Sequence, residues 1–280
     1  MSITIRAVKT IDESGMVADL SMRVWGAGPE DAVPDHVVIT AAKNGGVVLL
    51  ACDGDEPVGF VFGFLGFTDE LRVKHCSHQA GVLPRYQNSG LGYQLQAAQR
   101  QMLLKQGVDH ATWTFDPLES RNANLNLHKL GGVCSTYSRN VYGQIDDGLN
   151  AGLPTDRFLL DWWVASPWVR SRVDEKVKIP SLSERLQQGM KVVNAPTRNH
   201  DGHLVPTMQV PVFEDQSYLF EFPASIQAIK LADLGLAYAW RMHSRAIFEE
   251  AFAQGYSAVD LLYEDGRSCY LLEKEFTQNH

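Results

Sequence analysis

Residues Gln87-Asn88-Ser89-Gly90-Leu91-Gly92 follow an apolar run ending at Pro84 and open a segment with helical patterning. Two closely spaced glycines let a backbone approach a pyrophosphate, and the free N–H groups of a first helical turn point at it with the helix dipole behind them. The chemistry on offer is therefore binding of a phosphate-bearing cofactor. A nucleotide P-loop requires Lys and Ser or Thr after its second glycine, and here Tyr93 and Gln94 follow Gly92. A dinucleotide fingerprint requires a third glycine and a later acidic residue, and the G-x-G part stands alone. The same glycines also serve as plain punctuation between strand and helix.

The pattern Q-x-x-G-x-G after the turn Pro84-Arg85-Tyr86 resembles the acetyl-CoA signature of the GNAT acyltransferases, over Val82 to Gly92. That resemblance implies direct attack of an amine on an acyl-CoA thioester in a ternary complex. Acetyl-CoA or another short acyl-CoA is the implied co-substrate, with a small amine or amino acid as acceptor. It also implies that the strand His78 to Leu83 splays from its neighbour. N–H groups of Ala80, Gly81 and Val82 would then meet the pantetheine, and Gln87, Asn88, Ser89, Gly90, Leu91 and Gly92 the pyrophosphate. Arg85 and Arg100 are candidates for charge at the adenosine phosphate. Asn122 is expected near CoA, although it stands two positions later than the family places it.

Period-two alternation puts His78, Ala80 and Val82 on one face. His78 is thus the candidate general base, with a structural histidine as the competing account. Asp116 and Glu119 are alternatives able to bind an ammonium group, and Asp116-Pro117 equally suits a turn. Many GNAT enzymes carry a tyrosine acid four residues before the glycine of a Lys-Leu-Gly ending. Here that ending is Lys129-Leu130-Gly131, and Leu127 holds the position. His128 lies about 100° around the helix, and Tyr137 and Tyr142 are other stand-ins. A CoA thiol with a pKa near about 8.5 leaves tolerably without an acid. A non-catalytic acyl-CoA-binding protein is the alternative reading.

Strand patterns at Ile3–Val8, Val47–Cys52, Pro57–Phe67 and Ala80–Leu83 bracket a helix at Ile11–Trp25. A helix from Leu91 stops at Gly107. A strand at His110–Phe115, a helix from about Ser120 to Leu130, and strands near Val133–Tyr137 and Phe158–Val164 follow. This order matches the GNAT fold: α/β (α+β), a mixed, mostly antiparallel sheet flanked by helices. The chain is expected to divide into a GNAT acyl-CoA-binding domain at 1–165, a linker at 166–181 and a smaller C-terminal α+β domain at 182–280. In the last, strands are expected at Val192-Val193, Gln209–Phe213, Tyr218–Phe222, Tyr256–Tyr263 and Ser268–Lys274, with a helix from about Leu231 to Gln254. The C-terminal unit reads either as a degenerate GNAT-like relative, packing on the first domain or on a partner subunit in a homodimer, or as an unrelated cap. It lacks the cradle and is expected to bind no CoA. The loop Tyr142–Asp156 reads as an acidic lid over a cationic amine or as ordinary surface.

At 280 residues and 45% hydrophobic content the chain suits one large or two modest domains. A net charge of −8 without a basic stripe argues against nucleic acid. No apolar run approaches the roughly 20 residues of a membrane span, and cytoplasm is the default expectation. Cys52, Cys76, Cys134 and Cys269 lack metal-ligand spacing, so neither a metal site nor a disulfide framework is expected.

Overall fold

The structure is a computed structural model that describes residues 2–26, 28, 32–143, 150–207, 209 and 211–278. The chain folds as two compact units: residues 1–113 with 163–165, and residues 114–162 with 166–280.

In the first unit, β1 (Ile3–Ala7), β2 (Val48–Asp53), β3 (Glu56–Phe67) and β4 (Val73–Val82) form an antiparallel ladder, which β5 (His110–Phe115) joins in parallel to β4. Helix α1 (Ile11–Trp25) begins where Thr10 and Glu13 form a capping box and ends at Gly26 in the left-handed region. Its Val17 and Leu20 are buried, and Trp25 meets Phe60 edge-on at 5.8 Å. Helix α2 (Asp35–Lys43) follows, and α3 (Leu91–Gln106) ends at Gly107. Leu91, Leu95, Gln99 and Leu103 are buried at steps of four, so the stripe of α3 includes a glutamine that sequence patterning passes over. Gln99 earns its place by hydrogen bonds with the Ser77 hydroxyl of β4, at 3.1 and 3.3 Å.

The fourth strand is far longer than the expected Ala80–Leu83. Its polar stretch Lys74 to Gln79 conceals a strand in which the buried His75 and Ser77 each find a partner. His75 is fully buried and accepts the Val47 N–H at 3.2 Å, and Gly63 on β3 leaves the room its ring occupies.

The second unit contains β6 (Val133–Ser138), β7 (Arg157–Trp163 apart from its last residue), β10 (Ser217–Phe222), β11 (Tyr256–Glu264) and β12 (Arg267–Lys274). Neighbours run β7-β6-β11-β12-β10, and the register pairs among them are antiparallel. The short hairpin β8 (Thr197–Arg198) and β9 (Leu204–Val205) stands apart. Between β11 and β12, Asp265 and Gly266 both have positive φ, the conformation a tight hairpin needs. The expected long helix is α8 (Leu234–Ala253), capped by Asp233, and a short α7 (Ile226–Ala232) precedes it. Val192 forms only a bridge to Leu219, and the described residues of Gln209–Phe213 form no strand.

The units do not divide at 166–181. That stretch contains α5 (Pro167–Val173), whose Arg172 is buried and paired with Asp260 at 3.1 Å. Residues 114–162 belong with the C-terminal residues because β6 pairs with β11 and because Phe158 sits among aromatic rings. Its centroid lies 4.6 Å from Phe248, 5.4 Å from Phe252 and 5.5 Å from Tyr270. Burial of such rings drives the grouping. Among the described residues, no helix is long and apolar enough to cross a membrane.

Candidate functional site

Strand β4 pairs with β5 at two positions only, His75 with Ala111 and Cys76 with Thr112. From Ser77 onward its paired neighbour is β3. The Leu83 N–H donates to Val58 O at 2.9 Å, so alternation turns the N–H groups of Gly81 and Gln79 towards β3 and those of Ala80 and Val82 outward. Of the three residues expected to offer an N–H, Gly81 serves differently. A Cβ there would lie 2.9 Å from Phe60 Cε1 and 3.1 Å from Val24 Cγ1, so glycine is set by close packing of α1 and β3 on β4.

The register between β3 and β4 shifts at His78: Phe62 faces Gln79 and Gly63 faces Ser77. His78 is the extra residue of a β-bulge, a device that re-aims a side chain. It therefore does not share a face with Ala80 and Val82, as simple alternation predicts. Its ring instead meets Phe62 at 5.8 Å and Phe64 at 5.9 Å. His78 keeps solvent access, and desolvation beside these rings lowers its pKa.

After β4, Pro84–Tyr86 makes one 3₁₀ turn. Tyr86 is buried and donates to Asp53 at 3.1 Å, which pins the turn to β2. The Gln87 side chain donates to Val82 O at 3.2 Å, and Ser89 Oγ donates to Tyr86 O at 2.6 Å. These two residues thus shape the turn with their side chains. Asn88 and Gly90 both take positive φ, 63° and 86°, and Gly90 is the N-cap of α3 without a side-chain cap. A Cβ on Gly90 would point into open space, so steric crowding does not demand the glycine; the backbone conformation does. Leu91 and Gly92 open the helix, where N–H groups have no intrahelical acceptor. Arg85 pairs with Glu56 and stacks over Tyr86, while Arg100 is buried with its Nε donating to Val164 O at 2.7 Å. Both guanidiniums are thereby assigned structural partners.

The remaining expected residues lie in the second unit. Asp116 Oδ2 pairs with Arg241 and stands 3.8 Å from Arg157, and its Oδ1 accepts the Leu118 N–H at 2.8 Å. Both carboxylate oxygens of Asp116, expected as a candidate partner for an ammonium group, are thus engaged by groups of the protein itself. Glu119 accepts from Gln227 at 2.6 Å, and burial raises its pKa. Asn122 is exposed, with its side-chain oxygen 3.3 Å from Asn126 Nδ2. Leu127 is fully buried, as an apolar residue in place of an acid should be. His128 Nδ1 lies 2.9 Å from Asp260 Oδ1.

Tyr137 donates to Asp156 at 2.7 Å, and burial pushes its pKa up. Burial opposes the Asp156 carboxylate, but hydrogen bonds from Arg245 and Tyr137 outweigh it and hold its pKa below the usual range. Tyr142, exposed, shares a 2.7 Å hydrogen bond with Thr114. Of the expected acidic lid, Asp156 is buried in its pair with Arg245, and Asp146, Asp147 and Gly148 lie outside the described residues. The grouping of Asp116 with Arg241 and of Asp156 with Arg245 has no sequence signal, because its members are separated by up to 129 positions, without a local motif. Cys52, Cys134 and Cys269 are buried, and among the described residues no His, Cys, Asp and Glu cluster could hold a metal ion.

No family model and no curated protein matches the chain. Solved structures similar to it include a GNAT-family acetyltransferase from Streptococcus pneumoniae, 16% identical, with 57% of this chain and 98% of that one covered and a TM-score of 0.47. The ribosomal-protein alanine N-acetyltransferase of Escherichia coli is 16% identical over 58% of this chain and 94% of its own, with a TM-score of 0.46. An N-acetyltransferase from Thermoplasma acidophilum, in complex with coenzyme A, is 14% identical over 58% and 99%, with a TM-score of 0.43.

Proposed function

We propose that this protein is an acyl-CoA-dependent N-acyltransferase that moves an acetyl or other short acyl group to a small amine or amino acid. The observation that supports this most is the β4 edge: an outward-turned Ala80 and Val82 lead within ten residues to a helix opened by left-handed Gly90. Extended backbone donors suit the amides of a pantetheine arm, and the uncapped helix N-terminus suits its diphosphate. The open space beyond Gly90 leaves room for that group.

In this reading, the N–H groups of Ala80 and Val82 orient the donor, and those of Leu91 and Gly92 hold its phosphates. His78, neutral at physiological pH, accepts the ammonium proton at a ring nitrogen. The amine nitrogen then forms the new C–N bond as the C–S bond breaks, and the thiolate carries away the electron pair. With Leu127 buried in the core, that position supplies no proton to the thiolate. The same observation favours a second reading, an acyl-CoA-binding protein without turnover.

Amine-dependent release of free thiol from acetyl-CoA separates the two. The enzyme reading expects release to rise with amine concentration and to fall at least tenfold in His78→Ala with CoA affinity retained. Tight CoA binding without release across a broad amine panel would support the second reading instead.

A further inference from the structure

On β3, Phe60, Phe62 and Phe64 alternate onto one face, and Phe60 is covered there by Trp25 of α1. Phe62 is 1% exposed, whereas Phe64 is 41% exposed, so the apolar cover ends between them. The bulge turns His78 onto this uncovered end. Ring centroids lie 5.8 Å apart for Phe62 and His78, 5.9 Å for Phe64 and His78, and 6.3 Å for Phe62 and Phe64. Interplanar angles of 84°, 49° and 53° make a tilted three-ring surface with Phe62 as its floor. A single exposed phenylalanine is ordinary, but a three-ring cluster at a bulge, two residues from the outward Ala80 N–H, joins apolar surface to a titratable nitrogen.

We propose that Phe62, Phe64 and His78 form the seat of the acceptor, and that the acceptor is a primary monoamine with an aryl or bulky alkyl body. This rests on the acyltransferase reading and narrows it. The apolar body lies against Phe64 and the imidazole, edge or offset face to ring, over the Phe62 floor. The amino group is then carried to His78 Nδ1 or Nε2, which takes its proton. The register places Lys74, opposite Gly66, on this same face as Phe64 and Cys76, and no Asp or Glu of β3 or β4 joins them. A second positive charge on the acceptor meets the like charge of that lysine, which disfavours diamines and polyamines. A small hydroxylated acceptor forfeits the apolar contact.

The test is titration of the full-length protein with phenethylamine, ethanolamine and putrescine, following the His78 ring signals by NMR, alongside thiol release from acetyl-CoA. Phenethylamine is expected to shift the His78 signals and to bind about tenfold more tightly than ethanolamine or putrescine. Phe64→Ala should remove about that tenfold advantage, and Phe64→Leu should restore part of it. Circular dichroism checks that both variants stay folded. Equal affinity for the three amines, unmoved His78 signals at saturation, or unchanged phenethylamine binding in Phe64→Ala would overturn the seat. Phenethylamine binding without thiol release would leave the seat standing and refute the acyltransferase reading. Release with ethanolamine or putrescine preferred would do the reverse.

Discussion

At the scale of single residues, His78 shows how one inserted position alters a role. Alternation along β4 predicts a histidine beside Ala80, whereas the bulge places it against Phe62 and Phe64. Bulges leave no signal in hydrophobic period, so this reversal was not legible. Because desolvation lowers its pKa, His78 stays neutral to more acid pH than a free imidazole. The acidic limb of the pH profile of kcat/KM should therefore fall below pH 6.5, and His78→Ala should remove that limb.

Two other histidines act on stability. Burial lowers the pKa of His75 and of His243 to about 4, from 6.5. Above 6.5 both are neutral in folded and unfolded chains, and their contribution is complete. As pH falls from 6.5 to 4 the unfolded chain takes up protons that the folded one refuses, costing about 3 kcal/mol for each histidine. Urea unfolding at pH 7 and pH 4.5 should reveal this loss, and His243→Phe should reduce it.

At the scale of elements, apolar period and the helix-stopping Gly107 were legible where the pattern is local. Helix α1 spans the predicted Ile11–Trp25 because Thr10, Glu13 and Gly26 mark its ends. The helix expected from about Leu231 begins at Leu234, because Asp233 caps it by accepting the Leu236 N–H at 2.9 Å, and the short α7 before it carries no strong period. Strand β4 begins at Val73, before the expected apolar run, because polar His75 and Ser77 are buried in it against Val47 and Gln99. The buried Arg241 pairs with the half-buried Asp116 and joins the end of β5 to α8, and its removal leaves Asp116 with only the more distant Arg157 as counter-ion. Arg241→Met should lower stability in urea unfolding by about 3 kcal/mol or more. Thr10→Ala should cost about 1 kcal/mol through loss of the capping box.

For the whole molecule, the order of strands and helices through residue 165, α2 apart, was legible from periodicity and turns. The grouping was not, because it depends on which faces find each other. A linker is expected at 166–181, yet there α5 carries Arg172 into a buried pair with Asp260. A fragment of residues 1–165 would strip Phe158 of its partners Phe248, Phe252 and Tyr270. Such a fragment should lack a cooperative thermal transition by circular dichroism, whereas the full chain should show one.

The account rests on Gln87–Gly92 as the place where the donor is held. Calorimetric titration of CoA into the wild-type chain and into Gly90→Asp tests it most directly. Aspartate would strain a backbone held at φ of 86° and set a carboxylate in the open space where phosphate is expected. The account predicts saturable CoA binding to the wild type and a loss of at least a hundredfold in the variant, with the fold retained. Equal CoA affinity in the two proteins would contradict it.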